Sequence, residues 1–157
     1  MDIKKCTKES FSVIGKEGST NDGDGFIQKL WEAANSHYAE IANLVKTDEN
    51  GNPVGFWGAM SDFSRSFMPW ENGLSKGLYL AGAEVKDGAE APDGWVKWTI
   101  PASEFLYVKA ENGAEETVPA VMKYLEANNL KLAGAINDFL CPEEDMQLYM
   151  FFPVRRI

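Results

Sequence analysis

The sequence has little of what the most familiar enzyme sites require. It contains one histidine, His37, and two cysteines, Cys6 and Cys141, near opposite ends of the chain. A zinc site needs closely spaced cysteine or histidine ligands, and a Ser-His-Asp triad needs a suitably placed histidine, so neither pattern is present. No glycine-rich phosphate-binding loop occurs either. We therefore predict no metal and no cofactor, and two free thiols in a reducing compartment.

Positive charge and long apolar runs are also scarce. Fifteen Lys and Arg residues face 24 Asp and Glu residues, for a formal net charge of −9. Affinity for a nucleic-acid backbone rests on Lys and Arg, so we expect no direct nucleic-acid partner. An acidic surface suits a cationic or neutral ligand, or simply keeps the protein solvated. No run approaches the roughly 18 apolar residues of a membrane span, and the N-terminus lacks the apolar core of a signal peptide, which predicts a cytoplasmic protein without a membrane partner.

The chain does contain a partial internal repeat. The segment GAMSDF at 58–63 recurs as GAINDF at 134–139. Such an echo indicates two related supersecondary units, and a cleft on the pseudo-twofold axis between two units is a favoured place for a small ligand. A length of 157 residues suits one domain, which we divide into repeat 1, about 8–90, and repeat 2, about 95–157.

Each half follows the order strand, helix, strand, strand. In the first half we predict strands at 11–14, 54–60 and 78–85 and a helix over 26–45, and we expect 95–100 to form a hairpin with the preceding strand. In the second half we predict strands at 105–108, 130–136 and 148–152 and a helix from about Val118, with Pro119 near its first position. This order predicts an α+β fold of duplicated β-α-β-β modules, with a mostly antiparallel sheet and a central ligand cleft.

Three segments carry a resemblance to a known family. They are IPASEF at 100–105, the two Gly-Ala segments, and the apolar closing run LYMFFPV at 148–154. Together they resemble the GyrI-like family, the effector-binding domain of bacterial transcription activators, over nearly the whole chain from about Phe11. The resemblance implies a pseudo-symmetric pocket for aromatic, often cationic, small molecules. Because no helix-turn-helix segment precedes Phe11, the chain is similar to stand-alone members. The family's pocket Glu-x-Tyr pair aligns here with Asn137 and Phe139.

Aromatic and neighbouring side chains are the first candidates for a binding site. Flat ligands gain apolar burial and stacking energy between aromatic rings. The ligand-binding residues that we predict are Trp57, Trp70, Trp98, Tyr149, Phe67 and Met68. Core packing is the alternative for each ring. The loop over 61–76 supplies three of the six, and it either folds onto the core or covers a pocket.

Two residues are candidates for catalysis. Glu84 follows a run of small residues at a strand end, where a carboxylate in an apolar pocket would have a raised pKa and could activate water. Tyr107 would assist it, and the alternative for Glu84 is a solvated strand end beside Lys86. Asp62 and Asp138, which occupy matching positions in the repeated segment, are expected to form turns or caps.

Three functions remain open from the sequence. The first is a protein that binds planar aromatic or cationic compounds, with or without hydrolysis of strained cyclopropane-bearing alkylators, a reaction that the family resemblance implies for one subgroup. The second is a module that acts on a protein partner through its acidic surface. The third is the ligand sensor of a transcription regulator that lacks its own DNA-binding domain.

Overall fold

The fold is built on one antiparallel sheet of eight strands that curls into a half-barrel. The computed structural model describes all residues, 1–157. The strands are β1 (Lys4–Lys8), β2 (Phe11–Ser19), β3 (Phe56–Ser61), β4 (Leu78–Glu84), β5 (Val96–Ile100), β6 (Ser103–Lys109), β7 (Asn137–Cys141) and β8 (Gln147–Arg156). The helices are α1 (Phe26–Ser36), the single turn α2 (Glu71–Leu74) and α3 (Ala114–Ala127). None of them is long and apolar enough to cross a membrane.

The strand order displays the duplication. It runs β1-β6-β8-β7-β3-β4-β2-β5, so a pseudo-twofold axis between β7 and β3 relates β6-α3-β7-β8 to β2-α1-β3-β4. At this central seam Trp57 lies opposite Phe139 and Gly58 lies opposite Asp138. The predicted α+β fold with duplicated modules is thereby confirmed.

Two short connections cross between the halves and explain the curl. Two residues, Glu9 and Ser10, link β1 to β2, and two more, Pro101 and Ala102, link β5 to β6. Yet β1 pairs with β6 and β5 pairs with β2, at opposite edges of the sheet. Because each link spans at most about 11 Å, the two edges are drawn together. The predicted hairpin of 95–100 with the preceding strand is therefore wrong, since β5 lies against β2.

Other element bounds differ from the prediction. The apolar segment 130–136 is a loop, and the strand follows it as β7. Helix α1 ends at Ser36, and two 3-10 turns cover the rest of the predicted helix. Helix α3 begins at Ala114, which places Pro119 inside the helix instead of at its first position. Pro119 cannot donate to the carbonyl of Glu115, four residues earlier, so that carbonyl lacks its usual helical partner.

The two faces of the sheet are packed differently. On one face α1 and α3 each cover a mainly aliphatic cluster of hydrophobic residues, which includes Ile14 and Val85 under α1 and Val108 and Met150 under α3. The other face has no helix. It is the inside of the half-barrel, and aromatic side chains fill it, with Trp57 among the most central. The helix-covered clusters and the aromatic core therefore lie on opposite sides of the same strands.

Candidate ligand-binding site

A cleft of about 650 Å³ lies on the helical face, between the start of α1 and the side of α3. Strands β3, β7 and β8 contribute to it as well, and so does the turn α2. Its lining is mostly apolar and consists of Ile27, Met60, Trp70, Gly73, Leu74, Ala114, Glu115, Val118, Pro119, Met122, Ile136, Asp138 and Met150. Its size and apolar character are typical of pockets for drug-sized molecules.

Asp138 is the one acid that the sheet contributes to this cleft. Its Oδ2 accepts a hydrogen bond of 2.8 Å from the hydroxyl of Tyr79. Its Oδ1 is closed off from solvent and has no hydrogen-bond partner. Burial raises the pKa of Asp138 from 3.8 to about 6, and the Tyr79 bond opposes that rise. Unpartnered buried carboxylate oxygens are rare in folded proteins. A positive charge or a hydrogen-bond donor placed beside this oxygen would be stabilising.

Tyr79 connects Asp138 to helix α1 across the seam. Its hydroxyl donates to Asp138 and accepts a 3.2 Å hydrogen bond from Nε1 of Trp31. Burial first, and then the nearby Asp138 charge, raise the pKa of Tyr79 well above its ordinary value. The phenol crosses Gly58, where any Cβ atom would overlap the Tyr79 hydroxyl oxygen. Glycine at this position therefore lets the phenol reach the carboxylate.

The walls of the cleft combine flexible and fixed parts. Met60, Met122 and Met150 supply unbranched, polarisable side chains that can adapt to different ligand shapes. Helix α3 adds the carboxylate of Glu115. On the opposite wall Trp70 is held in place by a 2.8 Å hydrogen bond from its Nε1 to the carbonyl of Leu78.

The loop over 61–76, which carries Trp70, is tied down from several sides. Although burial opposes it, hydrogen bonds from Ser64 and Ser66 help to lower the pKa of Asp62 to about 2. Arg65 binds both carboxylate oxygens of Glu17. Arg156 donates to the carbonyl of Phe67. The expected turn-forming role of Asp62 agrees with these contacts.

Comparison with known proteins gives structural but not sequence matches. No protein-family model matches the chain, and no curated protein does. Among solved structures, SAV2435 bound to tetraphenylphosphonium is similar with a TM-score of 0.68 and 13% identity, over 99% of this chain and 94% of that one. A putative bacterial transcription regulation protein from Staphylococcus aureus MU50 matches with a TM-score of 0.65 and 13% identity, over 99% of both chains. The EcmrR C-terminal domain matches with a TM-score of 0.66 and 13% identity, over 99% of this chain and 98% of that one. These likenesses show a shared fold, consistent with the GyrI-like resemblance.

Of the six predicted ligand-binding residues, the structure brings Trp70 to the cleft. Trp57 and Trp98 lie on the opposite face, each 3% exposed, within the aromatic core. Phe67 packs edge-on against Trp98 with 5.9 Å between the ring centroids. Met68 is 42% exposed at the outer end of the loop. Tyr149 also lies on the helix-free side, so a ligand-binding role for these five residues stays a prediction about another surface.

The two predicted catalytic residues lie outside the cleft and apart from each other. Glu84 accepts a 3.1 Å hydrogen bond from Trp57 Nε1 and lines a depression at one end of the half-barrel. Tyr107 lines a separate polar depression with Tyr149 and stacks on Phe151. Their joint catalytic role stays a prediction that this placement does not support.

Asp138 is the residue that the sequence interpretation missed. The expected turn or capping role for it is wrong, because it is the second residue of β7 and not the end of a strand. Asp138 matches Asp62 in the repeated segment, but the two differ in place, because Asp62 follows β3 and Asp138 lies within β7. The signal that could have identified it is an acid next to the position that aligns with the family's pocket glutamate, Asn137.

Proposed function

We propose that this protein binds hydrophobic organic cations in the cleft between α1 and α3, with Asp138 as the counter-charge. The observation that carries the proposal is the unpartnered Oδ1 of Asp138 at the floor of a mostly apolar cleft. An ionised carboxylate is costly in such surroundings, and a cation placed beside it would relieve that cost.

The rest of the lining supports the same ligand class. Trp70 offers an indole, which attracts organic cations as well as apolar rings. Glu115 adds a second negative charge, and its main-chain carbonyl lacks the donor that Pro119 cannot supply. The structural neighbour SAV2435 was solved with tetraphenylphosphonium, a bulky aromatic cation, and the other neighbours are a putative transcription regulation protein and a domain of EcmrR. These structural neighbours favour a ligand sensor or a ligand-sequestering protein over a module that acts on a protein partner.

The test is titration calorimetry with tetraphenylphosphonium at pH 7.5. We expect Asp138→Asn to weaken binding at least about tenfold, because the variant keeps the shape of the side chain and removes the charge that pairs with the cation. Glu126→Gln, which removes one exposed acid from α3, is the matched control for net charge and should bind like the parent. Equal affinities for the parent and Asp138→Asn would refute the role of Asp138.

Hydrolysis of strained, cyclopropane-bearing alkylators is a second candidate function, and one observation favours it. A carboxyl group with a pKa of about 6 is well suited to accept a proton near neutral pH. In this function Asp138, instead of Glu84, would activate water beside the bound ligand. Ring-opened product that forms with the parent protein and with Glu84→Gln but not with Asp138→Asn would support it, and absence of product with the parent would end it.

A further inference from the structure

A second depression, of about 280 Å³, opens at one end of the half-barrel on the helix-free face. We call it the barrel mouth, and its lining is Lys8, Lys46, Val54, Trp57, Glu84, Phe139 and Phe151. Three rings form its apolar part. The ring centroids of Trp57 lie 4.7 Å from Phe139 and 5.2 Å from Phe151. The two phenylalanines are only half-buried and present an aromatic surface to a small molecule, whereas Trp57 is 3% exposed.

The charges at the barrel mouth are the reverse of those in the cleft. Lys8 Nζ lies 3.5 Å from one oxygen of Glu84, and Lys46 Nζ lies 3.7 Å from the other. At these lengths both are loose ion pairs, and each ammonium group retains donors for another acceptor. Two positive charges against one negative charge leave a local excess of +1 in a protein whose net charge is −9.

Glu84 itself has no need of a cationic ligand. Its carboxylate already accepts from Trp57 Nε1 and faces two ammonium groups. Asp138 in the cleft has one oxygen with no partner at all. At the barrel mouth the groups that can still bind a charged partner are therefore the two lysines. In the cleft that group is the carboxylate of Asp138.

From this arrangement we propose that the barrel mouth is a second binding site, which takes a single-ring aromatic carboxylate. The ring would lie against Phe139 and Phe151, next to the buried Trp57, and the carboxylate would accept hydrogen bonds from Lys8 and Lys46. The volume fits one ring with its carboxylate and is too small for a large polycyclic ligand. Lys8 already lies 5.7 Å from the Trp57 ring centroid, which brings charge and aromatic surface within reach of one molecule. The proposal does not depend on the function of the cleft.

Three probes of nearly one shape test the site: benzoate, benzamide and benzamidine, which are negative, neutral and positive. Each is titrated into uniformly ¹⁵N-labelled protein at pH 7.5, and the indole N–H signals of Trp57 and Trp70 are followed after assignment with Trp→Phe variants. We expect benzoate to shift the Trp57 signal saturably and to bind at least about fivefold more tightly than benzamide. Equal binding of benzoate and benzamide at Trp57, or no shift of that signal, would overturn the proposal. Benzamidine at Trp70 reports separately on the cleft.

Variants assign the effect to the charged groups. Lys46→Gln should weaken benzoate binding about three- to fivefold, whereas Lys97→Gln, which removes an exposed lysine from β5, should leave it unchanged. Glu84→Gln should strengthen benzoate binding about threefold, because it removes the competing negative charge. If Lys46→Gln and Lys97→Gln behave alike, or if Glu84→Gln weakens benzoate binding, the lysines do not hold the carboxylate and the proposal fails.

Discussion

The helical and helix-free faces of the same sheet use their side chains in opposite ways. On the helix-free face, aromatic rings fill the inside of the half-barrel and Glu84 lies between an indole and two lysines. On the helical face, methionines and small residues border an open cleft, and Asp138 has an oxygen without a partner. A high content of aromatic residues therefore does not locate the cavity in this chain. The cavity lies between helices α1 and α3, and Asp138, a half-buried acid in its lining, has one buried oxygen without a partner.

The largest effect that this comparison predicts is the contrast between two tryptophans. Trp57→Ala should lower the free energy of unfolding by about 3–5 kcal/mol, because it empties a site between three packed rings. Trp70→Ala should cost about 1–2 kcal/mol, since Trp70 is half-buried beside an existing cleft. Urea denaturation with unchanged m-values measures both. Equal losses would mean that the two faces do not differ in packing as described.

A smaller effect should come from the ionisation of Asp138. Because its pKa in the folded protein, about 6, exceeds its ordinary value of 3.8, the folded state holds this proton more tightly than the unfolded state does. The resulting stability is fully present below about pH 4 and is lost as the pH rises to about 6, a decrease of about 3 kcal/mol.

The measurement is a comparison of stability at pH 4 and pH 7 for the parent and for Asp138→Asn, so that the other acids cancel. Tyr79 is the other titratable group in contact with Asp138, and its raised pKa lies above this window. The parent should lose more stability than the variant over this range. A parent that loses no more than the variant would show that Asp138 is not strained by burial.

The smallest effect should come from the anchor of the 61–76 loop. Arg65 and Glu17 join the loop to β2, but the Arg65 side chain is 53% exposed, so Arg65→Ala should cost only about 0.5–1 kcal/mol. Hydrogen exchange should nevertheless speed up in this loop more than in α3, because one of its attachments is lost. Exchange rates unchanged in the loop would show that the remaining contacts hold it alone.

Regular, apolar segments of this fold could be predicted from the sequence. The strands β4, β6 and β8 and the start of α1 coincide with periodic apolar runs, and the duplication predicted the two-module sheet. Strand β1 had no such signal, because Lys4–Lys8 is a polar edge strand with mostly exposed side chains. Strand β7 was misplaced because Asn137 and Asp138 are residue types depleted in strands, whereas the preceding apolar loop resembled one.

The site was harder to predict than the fold for a related reason. The sequence shows where Trp57 and Trp70 occur but not which face of the sheet each side chain lies on. That face depends on strand register for Trp57 and on the path of the loop for Trp70. The unpaired oxygen of Asp138 is a property of three elements that meet at the seam, and no single segment encodes it.

Each half of the sheet is completed by an edge strand from the other half of the chain, and this decides how the protein can be cut into fragments. Because β1 completes the half that contains β6, and β5 completes the half that contains β2, a cut before Trp95 would yield two fragments that each lack a border strand and carry the other's. Neither fragment should be stable in isolation, but mixing them should reconstitute the whole. The two halves of this molecule therefore depend on each other.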